Sequence, residues 1–181
     1  MEEQGLSVFI DAFVLIITQA QLECGQLIAL IDDIMKLSRL DEGSEELSAE
    51  RVDLYDLSQK ILQELTPVAA KRGISLHMEG GRQTIQGVWR ILHEMIYNLC
   101  DNAIKYNKDG GAVTVRVTEE EDQVVVSVED TGIGISEGQQ DRVFERFYRV
   151  DKSHSRRVGG TGLGLSIVKH GAQYHNAQLS L

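Results

Sequence analysis

The chain has 181 residues, 42% of them apolar, and a formal net charge of −10. That length bounds it to one ordinary domain or a small domain with an appendage, and the apolar share is enough for a real core. The acidic balance argues against a nucleic-acid partner and disfavours direct adhesion to anionic lipid. Two cysteines, Cys24 and Cys100, read as buried, reduced thiols of a cytosolic protein, since a lone pair supplies no disulfide framework and no zinc spacing.

Residues 6–17 are apolar but short, and Asp11 interrupts them. A spanning helix needs about 20 apolar residues, and the acidic start (Glu2, Glu3) does not suit a signal peptide. The expectation is a core or interface helix and no membrane span. Residues 19–41 read as a second helix, with Leu27, Leu30, Ile34 and Leu37 at the spacing of a helical hairpin or dimer seam. Ile28, Ile31 and Met35 widen that stripe. The acidic connector 43–50 marks a boundary between a helical segment, 1–43, and a mixed α/β domain, 51–181.

Within that domain the pattern predicts a strand at 51–53 and a helix over 54–71 with Pro67 inside it and Gly73 stopping it. Strands follow at 74–78 and 84–86, then a long helix over 88–106. Residues 112–118 and 124–129 alternate as an antiparallel hairpin. The long connection 131–160 holds one short helix at 139–147, and loops of this length are usually functional lids. The last helix covers 162–176, and the chain ends at or just into another strand.

Three stretches carry chemistry. On the long helix, Leu92, Met95, Ile96, Leu99 and Ala103 form the packing stripe, while Glu94, Asn98, Asn102 and Lys105 share another face. Amide carbonyls are hard oxygen ligands for Mg²⁺, and lysine neutralises phosphate charge. Asp130-Thr131-Gly132-Ile133-Gly134 ends a strand. Asp130 can accept a hydrogen bond from the exocyclic amine of adenine, and Gly132 and Gly134 let backbone pass close to a base. Gly159-Gly160-Thr161-Gly162-Leu163-Gly164-Leu165 opens the last helix, where free N–H groups and the positive dipole end favour phosphate. Between these lies a basic stretch, Arg146, Arg149, Lys152, Arg156 and Arg157, suited to neutralising a triphosphate. Phe144 and Phe147 read as anchors of that stretch on the core.

Taken together, these residues resemble the catalytic, ATP-binding domain of bacterial sensor histidine kinases, in the superfamily that includes gyrase, Hsp90 and MutL. Residues 98–106 match its N box and 130–134 its G1 box. Phe144-Glu145-Arg146-Phe147-Tyr148-Arg149 matches its F box, and 160–164 its G2 box. Residues 26–42 look like the second helix of that family's dimerisation and phosphoacceptor domain. The wording of the boxes is closest to phosphate-sensor-like and cell-wall-sensor-like kinases.

The resemblance implies an α+β fold, a two-layer α/β sandwich whose mixed sheet is covered by helices on one face. It implies ATP and Mg²⁺, with Asn102 as the main metal ligand and Asn98 nearby. Lys105 and Tyr106 would contact phosphates or sugar, Asp130 the adenine amine, and Gly132 and Gly134 the base pocket. Gly160, Thr161, Gly162, Leu163 and Gly164, with Lys152, would hold the phosphates, and Asn98, Lys105 and Arg146 would serve catalysis. A homodimer through the N-terminal helices, a response-regulator partner and a cytoplasmic location, the parent protein being membrane-anchored, are also implied.

Two departures from the family pattern qualify this. The hydrolysing relatives carry a glutamate one turn before the metal-ligand asparagine, where this chain has Asn98; that favours phosphoryl transfer over ATP hydrolysis by a conformational clamp. None of His77, His93, His154, His170 or His175 sits in the acceptor-histidine context, and the last strands of the family are missing beyond residue 181, as in a truncated domain. A nucleotide-binding module without turnover therefore stands as the alternative.

Overall fold

A computed structural model describes residues 2–42, 48–150 and 160–181, and of residues 2–12, 26, 36, 37 and 39–42 the backbone alone. The described elements are α1 (Glu2–Glu42), β1 (Glu50–Asp53), α2 (Leu54–Ala70), β2 (Ser75–Gly80), β3 (Thr84–Gly87), α3 (Trp89–Lys105), β4 (Ala112–Glu120), β5 (Gln123–Asp130), α4 (Glu137–Gln140) and α5 (Gly164–Tyr174).

Alternation makes β4 the centre of the sheet. Val113, Val115 and Val117 are all fully buried, as a period of two requires when one face is covered. β4 runs parallel to β2, from Ser75 opposite Ala112 to Gly80 opposite Val117. It runs antiparallel to β5, from Val113 opposite Asp130 to Glu120 opposite Gln123. Glu121 and Asp122 turn this hairpin with φ of 49° and 64°, the two left-handed residues of a type I′ turn. β1 and β3 form a separate antiparallel pair, Glu50 opposite Gly87. On the other face of the sheet Arg116 pairs with Glu79 at 2.7 Å.

The helices α2 and α3 cover the valine face. Asp53 caps α2 by accepting from the N–H groups of Tyr55 (3.0 Å) and Asp56 (3.1 Å), worth about 1 kcal/mol. Leu57, Ile61 and Leu65 of α2 join Ile96, Cys100 and Ile104 of α3 and the β4 valines in one core. Each such side chain contributes roughly 1.5–3 kcal/mol by leaving water. Cys100 is fully buried, and burial, aided by the neighbouring Asp101 carboxylate, pushes its thiol up to about 12. α5 lies against α3, and its end is pinned to the start of α3: the Val88 N–H donates to His175 Nε2 at 3.0 Å. This bond serves an N-terminus that Val88 itself leaves without a side-chain cap.

Several expectations are corrected. Residues 6–17 are no separate core helix; they belong to the single 41-residue α1. The stretches 6–17 and 19–41, read as two helices, are continuous, because polar helix formers such as Gln19 and Gln21 do not interrupt helix hydrogen bonding. Phe13, Val14, Leu15 and Ile16 are exposed. The continuous stretch Phe13–Met35, with mean hydropathy 1.6, is long and apolar enough to cross a membrane by length and composition alone. Cys24, on the same helix, is exposed rather than buried.

On α3 Leu92, Ile96 and Ala103 are buried as expected, joined by Ile91, Cys100 and Ile104, while Met95 and Leu99 are only partly buried. The expected helix at 139–147 shrinks to Glu137–Gln140, followed by turns. Phe147 has φ of 63°, which ends any helical course. It is exposed, so Val143, at 8% exposure, is the buried anchor of that stretch in its place. Residues 175–181 hold no strand.

Candidate nucleotide site

The site forms where three chain segments converge: the C-terminal half of α3, the turn after β5, and the glycine turn that opens α5. Asn98 and Asn102 stand one turn apart on the α3 face that meets α5. The Asn98 amide donates from Nδ2 to the Glu94 carbonyl at 2.7 Å, which turns its Oδ1 toward α5. A Cβ built on Gly164 would lie 2.8 Å from Asn98 Oδ1 and 3.5 Å from Asn102 Nδ2. Only glycine lets the first residue of α5 come this near the two amides. The helix start therefore presents its N–H groups and positive dipole end beside two amides, Asn98 through its oxygen and Asn102 through its nitrogen.

Lys105 sits one turn beyond Asn102 and is held by Asp101 at 2.6 Å, both side chains being partly buried. The Tyr106 hydroxyl reaches toward Gly160, 3.8 Å from where a Cβ would stand there. The Tyr106 carbonyl accepts the Ile133 N–H at 3.2 Å, which joins the end of α3 to the second turn.

In that turn Asp130 is exposed rather than buried, so its carboxylate bears no burial penalty. It is oriented by the Gly132 N–H, which donates to Oδ1 at 2.7 Å. Gly132 packs so closely on the Tyr106 carbonyl and the Asp130 carboxylate that no Cβ fits. Gly134 faces open space and is glycine for its φ of 68°. An oriented carboxylate beside a bare backbone strip is a fitting reader of a planar base with an exocyclic amine.

In the third turn, Thr161 Oγ1 accepts the Leu163 N–H at 3.2 Å and donates to Asp33 Oδ2 on α1 at 2.6 Å. The Leu163 side chain is buried with Ile167, and Leu30 of α1 packs on both. Leu163 can therefore offer a ligand its backbone alone. The Phe147 N–H donates to the Gly162 carbonyl at 2.9 Å. Arg146 contacts His170 Nε2 on α5 at 3.0 Å, so it is tied to α5 rather than to the α3 amides. Arg142 lies over the Tyr148 ring, 4.4 Å from its centroid. Lys152, Arg156, Arg157, His154 and Gly159 lie outside the described residues.

Among the described residues no cluster of three or more His, Cys, Asp or Glu side chains is placed to hold a metal. The donors that fit a cation here are the two amides beside Gly164, a set suited to an ion that takes most of its ligands from phosphate and water.

Five residues that matter to this geometry were missed. Asp101 was legible as the i,i+4 partner of Lys105. Asp33, Arg72, Asn107 and Thr131 act across long sequence separations, and nothing in local spacing marks their partners.

A sheet backed by α2 and α3, with paired amides facing a glycine-opened helix, is the fold of the histidine-kinase, HSP90 and gyrase ATPases. Residues 87–181 match the family described as "Histidine kinase-, DNA gyrase B-, and HSP90-like ATPase", and the chain belongs to that family. It is 36% identical over 154 residues to the sensor histidine kinase RppB of Synechocystis sp., covering 84% of this chain and 34% of that protein. It is 32% identical over 177 residues to the sensor histidine kinase WalK of Bacillus subtilis, covering 91% of this chain and 27% of that one. The chain thus spans about a third of the length of these curated relatives. Among solved structures, full-length ShkA in complex with AMPPNP superposes with a TM-score of 0.72 at 29% identity, over 83% of this chain and 32% of that one.

Proposed function

We propose that this chain is the ATP-binding catalytic module of a sensor histidine kinase, transferring the γ-phosphoryl group of ATP to a histidine in two-component signalling. The observation that carries the reading is the amide pair Asn98 and Asn102 set against Gly164 at the start of α5, with the oriented Asp130 carboxylate in the turn joined to the C-terminal end of α3. The AMPPNP complex of ShkA supports an adenine nucleotide as the ligand. Residues 51–181 form the catalytic domain and 1–43 a partial dimerisation segment.

Asp130 selects adenine. Gly132 and Gly134 line the base, Lys105 exchanges its Asp101 partner for phosphate, and Tyr106 lies toward Gly160 at the sugar and phosphate end. The N–H groups of residues 160–164, with Lys152 and Arg146, receive the triphosphate charge. Asn102 and Asn98 would hold Mg²⁺, which neutralises phosphate charge when bound. Asn98 offers no carboxylate to activate water, which favours transfer over hydrolysis. The helix α1 carries no histidine, so the acceptor imidazole comes from another segment or chain, and the response regulator receives the phosphoryl group from it.

Incubation with labelled ATP tests this. The chain alone should acquire no acid-labile label, whereas a separately made histidine-bearing acceptor domain should acquire it in the chain's presence. ATP binding without label on any acceptor would leave a binding module and end the kinase reading.

The apolar stripe of α1 packs on a second copy in this reading. Leu27 and Ile34 of the seam are exposed, at 58% and 44%, while Leu30 packs on Leu163 and Ile167, and a seam of this kind is stable only when paired. Sedimentation should give a dimer, and the double change Leu27→Glu and Ile34→Glu should give a monomer. A wild-type chain that is monomeric at tens of micromolar, or a double variant that still dimerises, would remove this seam from the proposal.

A further inference from the structure

We propose that Asn107 and Thr131 form a clamp that fixes the base-reading turn against the end of α3, which makes Asn107 a positioning residue for nucleotide recognition. The inference rests on the nucleotide reading above and names which residues set its geometry.

Asn107 follows the last residues of α3 and is a rare buried polar side chain, 5% exposed. Both ends of its amide are bonded. Nδ2 donates to the Ala112 carbonyl at 2.9 Å. Oδ1 accepts from the Lys108 N–H at 2.9 Å and from Thr131 Oγ1 at 3.0 Å. Thr131 Oγ1 in turn accepts the Ala112 N–H at 2.9 Å. Two side chains therefore bridge three segments: the end of α3, the first residue of β4, and the turn after β5. A satisfied polar network of this kind holds one geometry, because each member loses its partners when any segment slides. Gly111 has no Cβ where one would press on Asn107 Oδ1 and Thr131 Oγ1, so the clamp closes without obstruction.

What the clamp holds is specific. Thr131 lies between Asp130, the base-reading carboxylate, and Gly132, whose Cα sits on the Tyr106 carbonyl. From the opposite side Arg72 fastens the main chain of the same corner. Its Nη1 donates to the carbonyls of Ile104 (2.7 Å) and Lys105 (2.9 Å), Nη2 to that of Asn107 (2.7 Å), and Nε to the Asp109 carboxylate (3.0 Å). A guanidinium is well matched to the carbonyls and negative dipole end of a helix C-terminus. Asn107 is thereby held by its backbone to Arg72 and by its side chain to Thr131. None of these residues needs to touch the ligand. Together they set how far Asp130 stands from Lys105 and Tyr106, the span a nucleotide must bridge from base to phosphate.

Calorimetry on the full chain tests this with ATP and GTP, each with and without Mg²⁺. Thr131 is exposed, so Thr131→Val removes the bond to Asn107 while leaving the core intact. It should weaken ATP binding by about tenfold, whereas Thr131→Ser, which keeps the hydroxyl, should stay within about twofold of wild type. The ATP-over-GTP preference should shrink in Thr131→Val, and the ratio of affinities with and without Mg²⁺ should not change. A purely structural role would lower both ligands equally and leave the preference alone. Asn107→Ala should repeat the loss of preference; if it unfolds, the Thr131 pair alone decides. Wild-type affinity and preference in Thr131→Val, or a loss that Thr131→Ser does not rescue, would overturn the clamp. If the wild-type chain binds neither nucleotide, the nucleotide reading itself falls, a result distinct from selective failure of the variants.

Discussion

Asn102→Ala should abolish Mg²⁺-dependent nucleotide binding while the protein stays folded. Asn102 is half-buried and lies outside the α2–α3–β4 core, so its loss removes no apolar packing. In the wild-type chain its amide stands beside Asn98 and against Gly164, where the N–H groups of α5 begin. Magnesium accepts few protein ligands and relies on each for orientation of its phosphates. On the proposed reading Asn102→Ala removes the main ligand and leaves Asn98, whose amide is already tied at Nδ2 to the Glu94 carbonyl.

The loss should be at least about 30-fold in ATP affinity with Mg²⁺ present, about 2 kcal/mol. It should be much smaller with Mg²⁺ chelated, where the two proteins bind alike. Circular dichroism and a thermal melt establish that the fold persists. Retention of the full Mg²⁺ effect in Asn102→Ala would move the metal to another set of donors. Asn98→Ala should have the smaller effect of the two, since Asn102 remains.

The parts of this molecule that were legible in its sequence are those governed by local spacing. The period-two valines of β4, its hairpin with β5, the course of α2 up to the stop at Gly73, and the amide face of α3 all follow from patterns a few residues long, although the turn read over 119–123 is only the two residues Glu121 and Asp122. The amides and glycines of the site were found for the same reason: each lies within one short stretch, and the fold brings the stretches together.

What was misread depended on partners distant in the chain. Asp130 was read as ending a buried strand; it is the last residue of β5, opposite Val113, and it lies at the surface. Phe147 was expected to anchor the loop by its hydrophobicity. Its positive φ, locked by the hydrogen bond to Gly162, points it outward and leaves Val143 inside. On α3 Leu92, Ile96 and Ala103 entered the core as read, with Cys100 rather than Leu99 buried beside them. The stretches 6–17 and 19–41, read as two helices, run on as one α1, since a helix accepts the polar residues between them without interruption. The Asp33–Thr161 bond, between residues 128 apart, had no signature in either segment.

Asp130→Asn should cost ATP affinity and narrow the preference for adenine over guanine. The carboxylate is held by the Gly132 N–H at Oδ1, 2.7 Å away, which aims its second oxygen at whatever lies over the bare backbone of the turn. An adenine amine donates to that oxygen, and a hydrogen bond to a charged acceptor is worth about 1.5–3 kcal/mol, roughly 10- to 100-fold in affinity. Guanine presents a carbonyl at the equivalent ring position, which the carboxylate repels. The asparagine variant keeps the same size and can still accept from Gly132 through its carbonyl oxygen. Its amide nitrogen then replaces the second oxygen, so donor meets donor for adenine and donor meets acceptor for guanine. ATP binding should therefore fall by roughly tenfold or more while GTP binding holds or improves. Because the residue is exposed, the change should leave the melting temperature nearly unmoved, separating a recognition effect from a folding effect. Competition of ATP and GTP for a fluorescent nucleotide on the wild-type and variant chains measures both affinities together. Wild-type ATP affinity with unchanged discrimination in Asp130→Asn would mean that the base is read elsewhere.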